Sequence, residues 1–223
     1  MNPYIGHESQ LYGIEEHRLA GGKGDGMRLL EVNNGKGLEL TISLDRCADI
    51  SRLKYREIRV RLDTNEFVIH DTIKNTGDSR QPFEILYHMN MGYPLLDEDS
   101  VIEIPSVEVV ARDAHALKGL ANWKEISKPQ AGFVEQCYYH LFETEGKASV
   151  YQPKQELGLE ISFDPKQLDG FVEWKMLGVR DYVLGLECGN CYPDGRDVMR
   201  KKGMLKFLEP GEKKEYEVNI KML

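Results

Sequence analysis

The sequence lacks most of the features that would assign it to a common functional class. Across its 223 residues no apolar run approaches the ~20 residues of a membrane span. The first residues, Met1-Asn2-Pro3-Tyr4, show no basic stretch followed by an apolar one. The expectation is therefore a cytoplasmic chain with no membrane partner. Positive charge is in deficit: 29 Lys and Arg against 37 Asp and Glu leave a net charge of −8, which argues against nucleic acid as a partner.

Cysteine is scarce, with only Cys47, Cys137, Cys188 and Cys191, and reduced thiols are expected in a cytoplasm. Cys188 and Cys191 form a Cys-x-x-Cys pair. No second pair supplies the remaining ligands of a structural zinc site. The pair also follows a strand into turn-formers, where a redox motif would open a helix. We expect loop cysteines and neither a metal nor another cofactor. Gly21-Gly22-Lys23-Gly24-Asp25-Gly26 has no strand-to-helix setting and no Lys-Ser/Thr ending, so phosphate cradling is not expected there. Helical periodicity is confined to Ala114 to Ile126, where Gly119 weakens it. Repeats, low-complexity segments and linkers rich in Pro, Gly or Ser are missing, so residues 1–223 read as one domain.

What the sequence does contain is strands. Leu38, Leu40, Ile42 and Leu44 alternate with polar residues, as do Ile58, Val60 and Leu62. Further strand signals are Phe67 to Ile73, Phe83 to Tyr87, Val101 to Ile104 and Val107 to Val110. The run continues with Phe133 to Phe142, Ala148 to Tyr151, Leu157 to Phe163, Phe171 to Met176, Tyr182 to Leu186, Met204 to Leu208 and Tyr216 to Ile220. Turn pairs such as Glu145-Gly146, Asp169-Gly170 and Pro210-Gly211 separate several of them. Many short strands with little helix predict an all-β sandwich.

Two places suit chemistry. Glu187 stands where the apolar run Tyr182-Val183-Leu184-Gly185-Leu186 stops and turn-formers begin. A rigid strand ending in an acid can hold a carboxylate at a pocket rim; an ordinary solvated strand end is the alternative. His88 follows Phe83 to Tyr87, and its imidazole can exchange a proton near neutral pH, or serve structure alone. One acid and one base, each at a strand end, would suit proton transfer at two oxygens.

Several segments carry a resemblance. They are Leu44-Asp45-Arg46-Cys47-Ala48-Asp49-Ile50, Asp71-Thr72-Ile73-Lys74-Asn75-Thr76-Gly77, Tyr87-His88-Met89-Asn90-Met91-Gly92-Tyr93-Pro94, Trp174-Lys175-Met176-Leu177-Gly178, and Gly185-Leu186-Glu187 with Pro193-Asp194-Gly195. In this order they resemble the galactose-mutarotase-like superfamily, in particular its aldose 1-epimerase-like DUF4432 branch. The resemblance implies a mutarotase-type β-sandwich, or supersandwich, that binds a sugar across one sheet. It implies Glu187 as the base at the anomeric hydroxyl and His88 as the acid at the ring oxygen, with no cofactor.

The expected substrate contacts are Asn90, Arg46, Asp49, Trp174 and Asp194. Arg46 and Asp49 are also open to a buried pairing with each other, Asn90 to holding His88, and Trp174 and Trp123 to core roles. His140 is a weaker pocket candidate, His115 an exposed loop residue, and Arg200-Lys201-Lys202 a solvated run.

One departure is clear. Family members carry a central block, with a second active-site histidine in a Leu-His-Gly segment, between the strand at Asp49 to Leu53 and the next. Here Leu53-Lys54-Tyr55 runs almost directly into Arg56-Glu57-Ile58. The sandwich is thus expected to be truncated in the centre, with one pocket wall missing. Association with another copy is expected to cover the exposed edges. An anomer-exchanging isomerase and a sugar-binding protein without catalysis are the leading functions; a purely structural role comes third.

Overall fold

A computed structural model of the chain describes residues 12–21, 25–34, 39–43, 54–60 and 62–223. The strands in chain order are β1 (Gly13–Arg18), β2 (Arg28–Asn33), β3 (Glu39–Ser43), β4 (Lys54–Val60), β5 (Glu66–Lys74), β6 (Gln81–Phe83), β7 (Asn90–Met91) and β8 (Val101–Glu103). They continue with β9 (Glu108–Ala111), β10 (Gln136–Leu141), β11 (Gly146–Gln152), β12 (Leu157–Phe163), β13 (Gly170–Gly178), β14 (Asp181–Gly189), β15 (Lys206–Leu208) and β16 (Lys213–Met222). The helices are short: α1 (Ala114–Leu117) and α2 (Arg196–Lys201).

Two large sheets form the sandwich. One has the order β7-β14-β13-β10-β9, the other β4-β5-β16-β12-β11-β8. Strands β1, β2 and β3 make a separate sheet, and β15 pairs with β6. The core lies between the two large sheets, where Phe171, Leu184, Leu186 and Cys188 of one meet Val150, Ile161, Phe163, Val218 and Ile220 of the other. Period-two alternation explains why: each strand sends every second side chain inward. The all-β sandwich expected from the sequence is the observed fold.

The outer face of the five-stranded sheet is covered in part by a second cluster. Met199 of α2 packs with Cys137, Tyr139, Val172, Cys191, Tyr192 and Leu205, and Tyr139 stacks on Tyr192 with ring centroids 4.1 Å apart. The remainder of that face is open and carries the site.

Several local expectations are corrected. The strand expected at Phe83 to Tyr87 is a ladder only over Gln81–Phe83. Beyond it the chain leaves regular pairing, because Asn190 clamps it: Ile85 N–H donates to the Asn190 Oδ1 at 2.8 Å, and Asn190 N–H donates to Ile85 C=O at 3.0 Å. The apolar run at Tyr182 does not stop before Glu187; β14 continues to Gly189. Cys188 is therefore a core strand residue rather than a loop cysteine, and burial raises its thiol pKa. Cys191 is buried too, its thiol pushed up to about 12. The helical stretch from Ala114 shrinks to α1, capped by Asp113, and a 3-10 turn at Leu120–Asn122. His115 lies in α1, and Arg200 and Lys201 form the last turn of α2. Gly195, at φ 92°, adopts the left-handed backbone that launches α2.

Among the described residues no helix is long and apolar enough to cross a membrane. Nor is any group of three or more His, Cys, Asp or Glu placed to hold a metal.

Candidate active site

The site follows from register. Leu86 bridges Gly189, and farther along Asn90 pairs with Gly185 and Met91 with Leu184, all antiparallel. Both ends of this segment share one register, which sets His88 directly across from Glu187. Cross-strand neighbours on one face stand close enough for their side chains to meet. Here they do: His88 Nδ1 lies 2.8 Å from Glu187 Oε1. The carboxylate is buried, its side chain 5% exposed, while the imidazole is 61% exposed. The hydrogen bond to Glu187 raises the His88 pKa above its ordinary 6.5, more than burial lowers it.

Alternation assembles the remaining wall. Val172 lies opposite Glu187 and Trp174 opposite Gly185, while Cys137 pairs with Trp174 from the next strand. These side chains and Asn90, with Arg112 and Pro193 from the flanking segments, line a cavity of about 320 Å³ beside His88 and Glu187. Burial pushes the Cys137 thiol up to about 12, so it is a neutral floor and not a nucleophile at neutral pH.

Gly185 keeps this floor open. A Cβ there would lie 2.8 Å from Glu187 Oε1, 3.2 Å from Asn90 Oδ1 and 3.3 Å from Trp174 Cβ. Gly185→Ala is expected to unseat the carboxylate, weakening whatever step uses it by about tenfold to a hundredfold. Loss of the elevated His88 pKa, followed by NMR titration, would report the same displacement without reference to turnover.

Glu135 escaped the sequence analysis, since nothing in its local pattern marks it. It accepts from Trp174 Nε1 at 2.7 Å and from Arg112 Nη2 at 2.8 Å, fixing two cavity residues with one carboxylate. The bonds from Trp174 and then Arg112 hold its own pKa below the usual range. Glu135→Gln should loosen Trp174 and Arg112 along this wall and leave the His88–Glu187 hydrogen bond in place, so the His88 pKa should hardly move in an NMR titration. Trp174 fluorescence should shift with it.

The sequence candidates distribute as follows. His88, Glu187, Asn90 and Trp174 line one cavity. Asp194 is not among the lining residues: its oxygens accept from Tyr139 Oη at 2.6 Å and Lys202 Nζ at 2.7 Å, tying α2 to the sheet. Arg46 and Asp49 lie outside the described residues. His140 sits on the inner face of the same sheet, buried against Ser106 and Glu173, because alternation turns it away from Cys137 and Tyr139. Trp123 packs edge-on to it, with ring centroids 4.7 Å apart. Among the described residues His88 is the only histidine lining the cavity.

A family model described as "Domain of unknown function (DUF4432)" matches residues 55–222. No curated protein matches the chain. Solved structures share the fold. A candidate aldose 1-epimerase from Klebsiella pneumoniae superposes with a TM-score of 0.73 at 23% identity, covering 95% of this chain and 54% of its own. A candidate aldose 1-epimerase from Escherichia coli K12 gives 0.51 at 13% identity, over 94% of this chain and 64% of its own. A galactose mutarotase-like protein from Lactobacillus casei gives 0.51 at 11% identity, over 95% of this chain and all of its own. The chain thus spans about half the length of the Klebsiella protein.

Proposed function

The chain belongs to the DUF4432 family, and on that premise we propose that it binds an aldose or aldose derivative and interconverts its anomers. One observation carries the reading: a buried carboxylate and an accessible imidazole share a hydrogen bond of 2.8 Å at the mouth of one cavity. In this mechanism Glu187 takes the proton from the anomeric hydroxyl as the C1–O5 bond breaks, and O1 becomes the carbonyl oxygen. His88, as imidazolium, gives its proton to O5. Rotation about C1–C2 and the reverse transfers close the ring on the other face, returning each proton to its donor. Nothing is consumed, and no oxidant or cofactor enters the balance. Asn90 and Trp174 contact the sugar. General acid-base assistance of this kind contributes roughly a hundred- to ten-thousand-fold.

The raised His88 pKa favours this assignment. The elevated His88 pKa keeps the imidazole protonated to higher pH than an isolated histidine. The alkaline limb of the kcat/KM profile should therefore fall above the ordinary 6.5, where His88 loses its proton. Linkage has the same sign: the pair's contribution to stability is full below the unfolded pKa and is lost as pH rises through the folded one. The decisive assay is NMR exchange spectroscopy or polarimetry on fresh glucose, galactose and a wider aldose panel. Accelerated exchange is the expected result; no acceleration on any sugar ends the enzymatic reading.

A second reading, a sugar-binding protein without catalysis, is favoured by one observation. The cavity has His88 alone among the described residues, where the resemblance implies two histidines. Saturable sugar binding without exchange would select it.

A further inference from the structure

A larger cavity, of about 570 Å³, opens elsewhere and shares no lining residue with the candidate active site. Its floor is Asn190, one residue past β14, and Tyr216 of β16, which are 2% and 6% exposed. Asn190 Oδ1 is occupied by Ile85 N–H, and Asn190 Nδ2 reaches Tyr216 Oη only at 3.4 Å. At that length the contact is weak, so both groups, which line the cavity, can turn to a better acceptor. Buried donors of this kind ordinarily find a partner, and a ligand oxygen or water would supply one.

The rim carries charge of the sign opposite to the whole chain. Lys166, Lys206, Lys213 and Lys214 line the opening against Glu212 and Glu215, in a protein of net charge −8. The lysines arrive from separate segments: the β12–β13 turn, β15 and the start of β16. Lys206 pairs with Asp169, Lys213 with Glu215 and Lys214 with Glu212, all across exposed side chains. Exposed pairs of this type are worth about 0–1 kcal/mol and exchange readily for a stronger acceptor. Among the described residues Lys166 has no carboxylate partner. Phe83 and Phe207 supply apolar walls.

We propose that this cavity is a second binding site, for a small molecule bearing a phosphate group on an apolar or ring-shaped body. Floor donors and rim ammoniums are complementary to an oxyanion, and the aromatic walls to the body that carries it. The site is independent of the anomer-exchange reading and stands or falls separately from it.

The test is an NMR titration of the full chain with inorganic phosphate and with phenyl phosphate. Both should give saturable shifts at the Asn190 side-chain amide, phenyl phosphate about tenfold tighter, a step of about 1.4 kcal/mol. The charge-reversed double variant Lys166→Glu/Lys206→Glu should weaken binding at least about tenfold, while Lys154→Glu, on a lysine elsewhere, should change it little. If the double variant fails to fold, Lys166→Gln decides, because that side chain is exposed and supports no ion pair. Shifts that do not saturate, that centre on His88 and Glu187, or that survive removal of the lysine charge would overturn the proposal.

Discussion

Glu187→Gln is expected to lower anomer exchange by at least about a hundredfold, the lower bound of general-base assistance. Glutamine keeps the volume of the side chain and can still bond His88, so packing against Val172 and Trp174 should survive. What it cannot do is receive the anomeric proton. An independent reading comes from His88 itself. The hydrogen bond to Glu187 is the largest cause of its raised pKa, so in Glu187→Gln the imidazole should titrate back toward 6.5 in an NMR pH series. If exchange falls and the imidazole pKa does not move, the carboxylate acts through something other than this pair. If the pKa falls and exchange is unchanged, Glu187 is not the base.

The second large effect is on stability. Asp71, in β5, is fully buried and accepts from Arg56 Nε at 2.7 Å, from Arg56 Nη2 at 2.6 Å and from Tyr87 Oη at 2.9 Å. Arg56 also lies over the Tyr87 ring, 5.6 Å from its centroid. Removing one partner of a buried pair leaves the other charge uncompensated, at a cost of about 3–5 kcal/mol. The Arg56 side chain is 24% exposed, which sets the expectation for Asp71→Ala at about 3 kcal/mol and a Tm lower by about 6–12 °C. Tyr87→Phe, which removes only the hydroxyl, should cost about 1–2 kcal/mol. Thermal melts in which the two variants are equally stable would refute this ordering. Because Tyr87 directly precedes His88, both variants should also loosen the imidazole, seen as a smaller departure of its pKa from 6.5.

Much of the fold was legible in the chain. Period-two alternation and turn residues located nearly all the strands of the two large sheets, and Leu157–Phe163 coincides with β12. What failed were segments decided by tertiary partners. The stretch after Phe83 has strand composition, yet a side-chain amide from far along the chain takes the Ile85 N–H, and the Tyr87 N–H goes to Cys188 C=O. α2 carries no long apolar stripe, only Met199 as a buried anchor. At the site, residue type pointed to His88 and Glu187, and alternation alone could have separated Trp174 from its neighbours Glu173 and Lys175. The position of Glu135 was not legible, because its importance lies in two donors, Trp174 of β13 and Arg112 just past β9, that reach it from distant parts of the chain. That His88 and Glu187 would meet came only through the family resemblance, since register between distant segments leaves no local trace.

That register has a further consequence. His88 and Glu187 are brought together by the main-chain count on either side of them, with Leu86 and Asn90 as the fixed marks. The number of residues along the way is set as strictly as the identities of Tyr87, His88 and Glu187. Losing or gaining one residue in that short span would turn the imidazole inward and leave the carboxylate alone. The proposed chemistry would vanish with every participating residue still encoded, so in any relative the spacing between these marks must hold as well as the residues themselves.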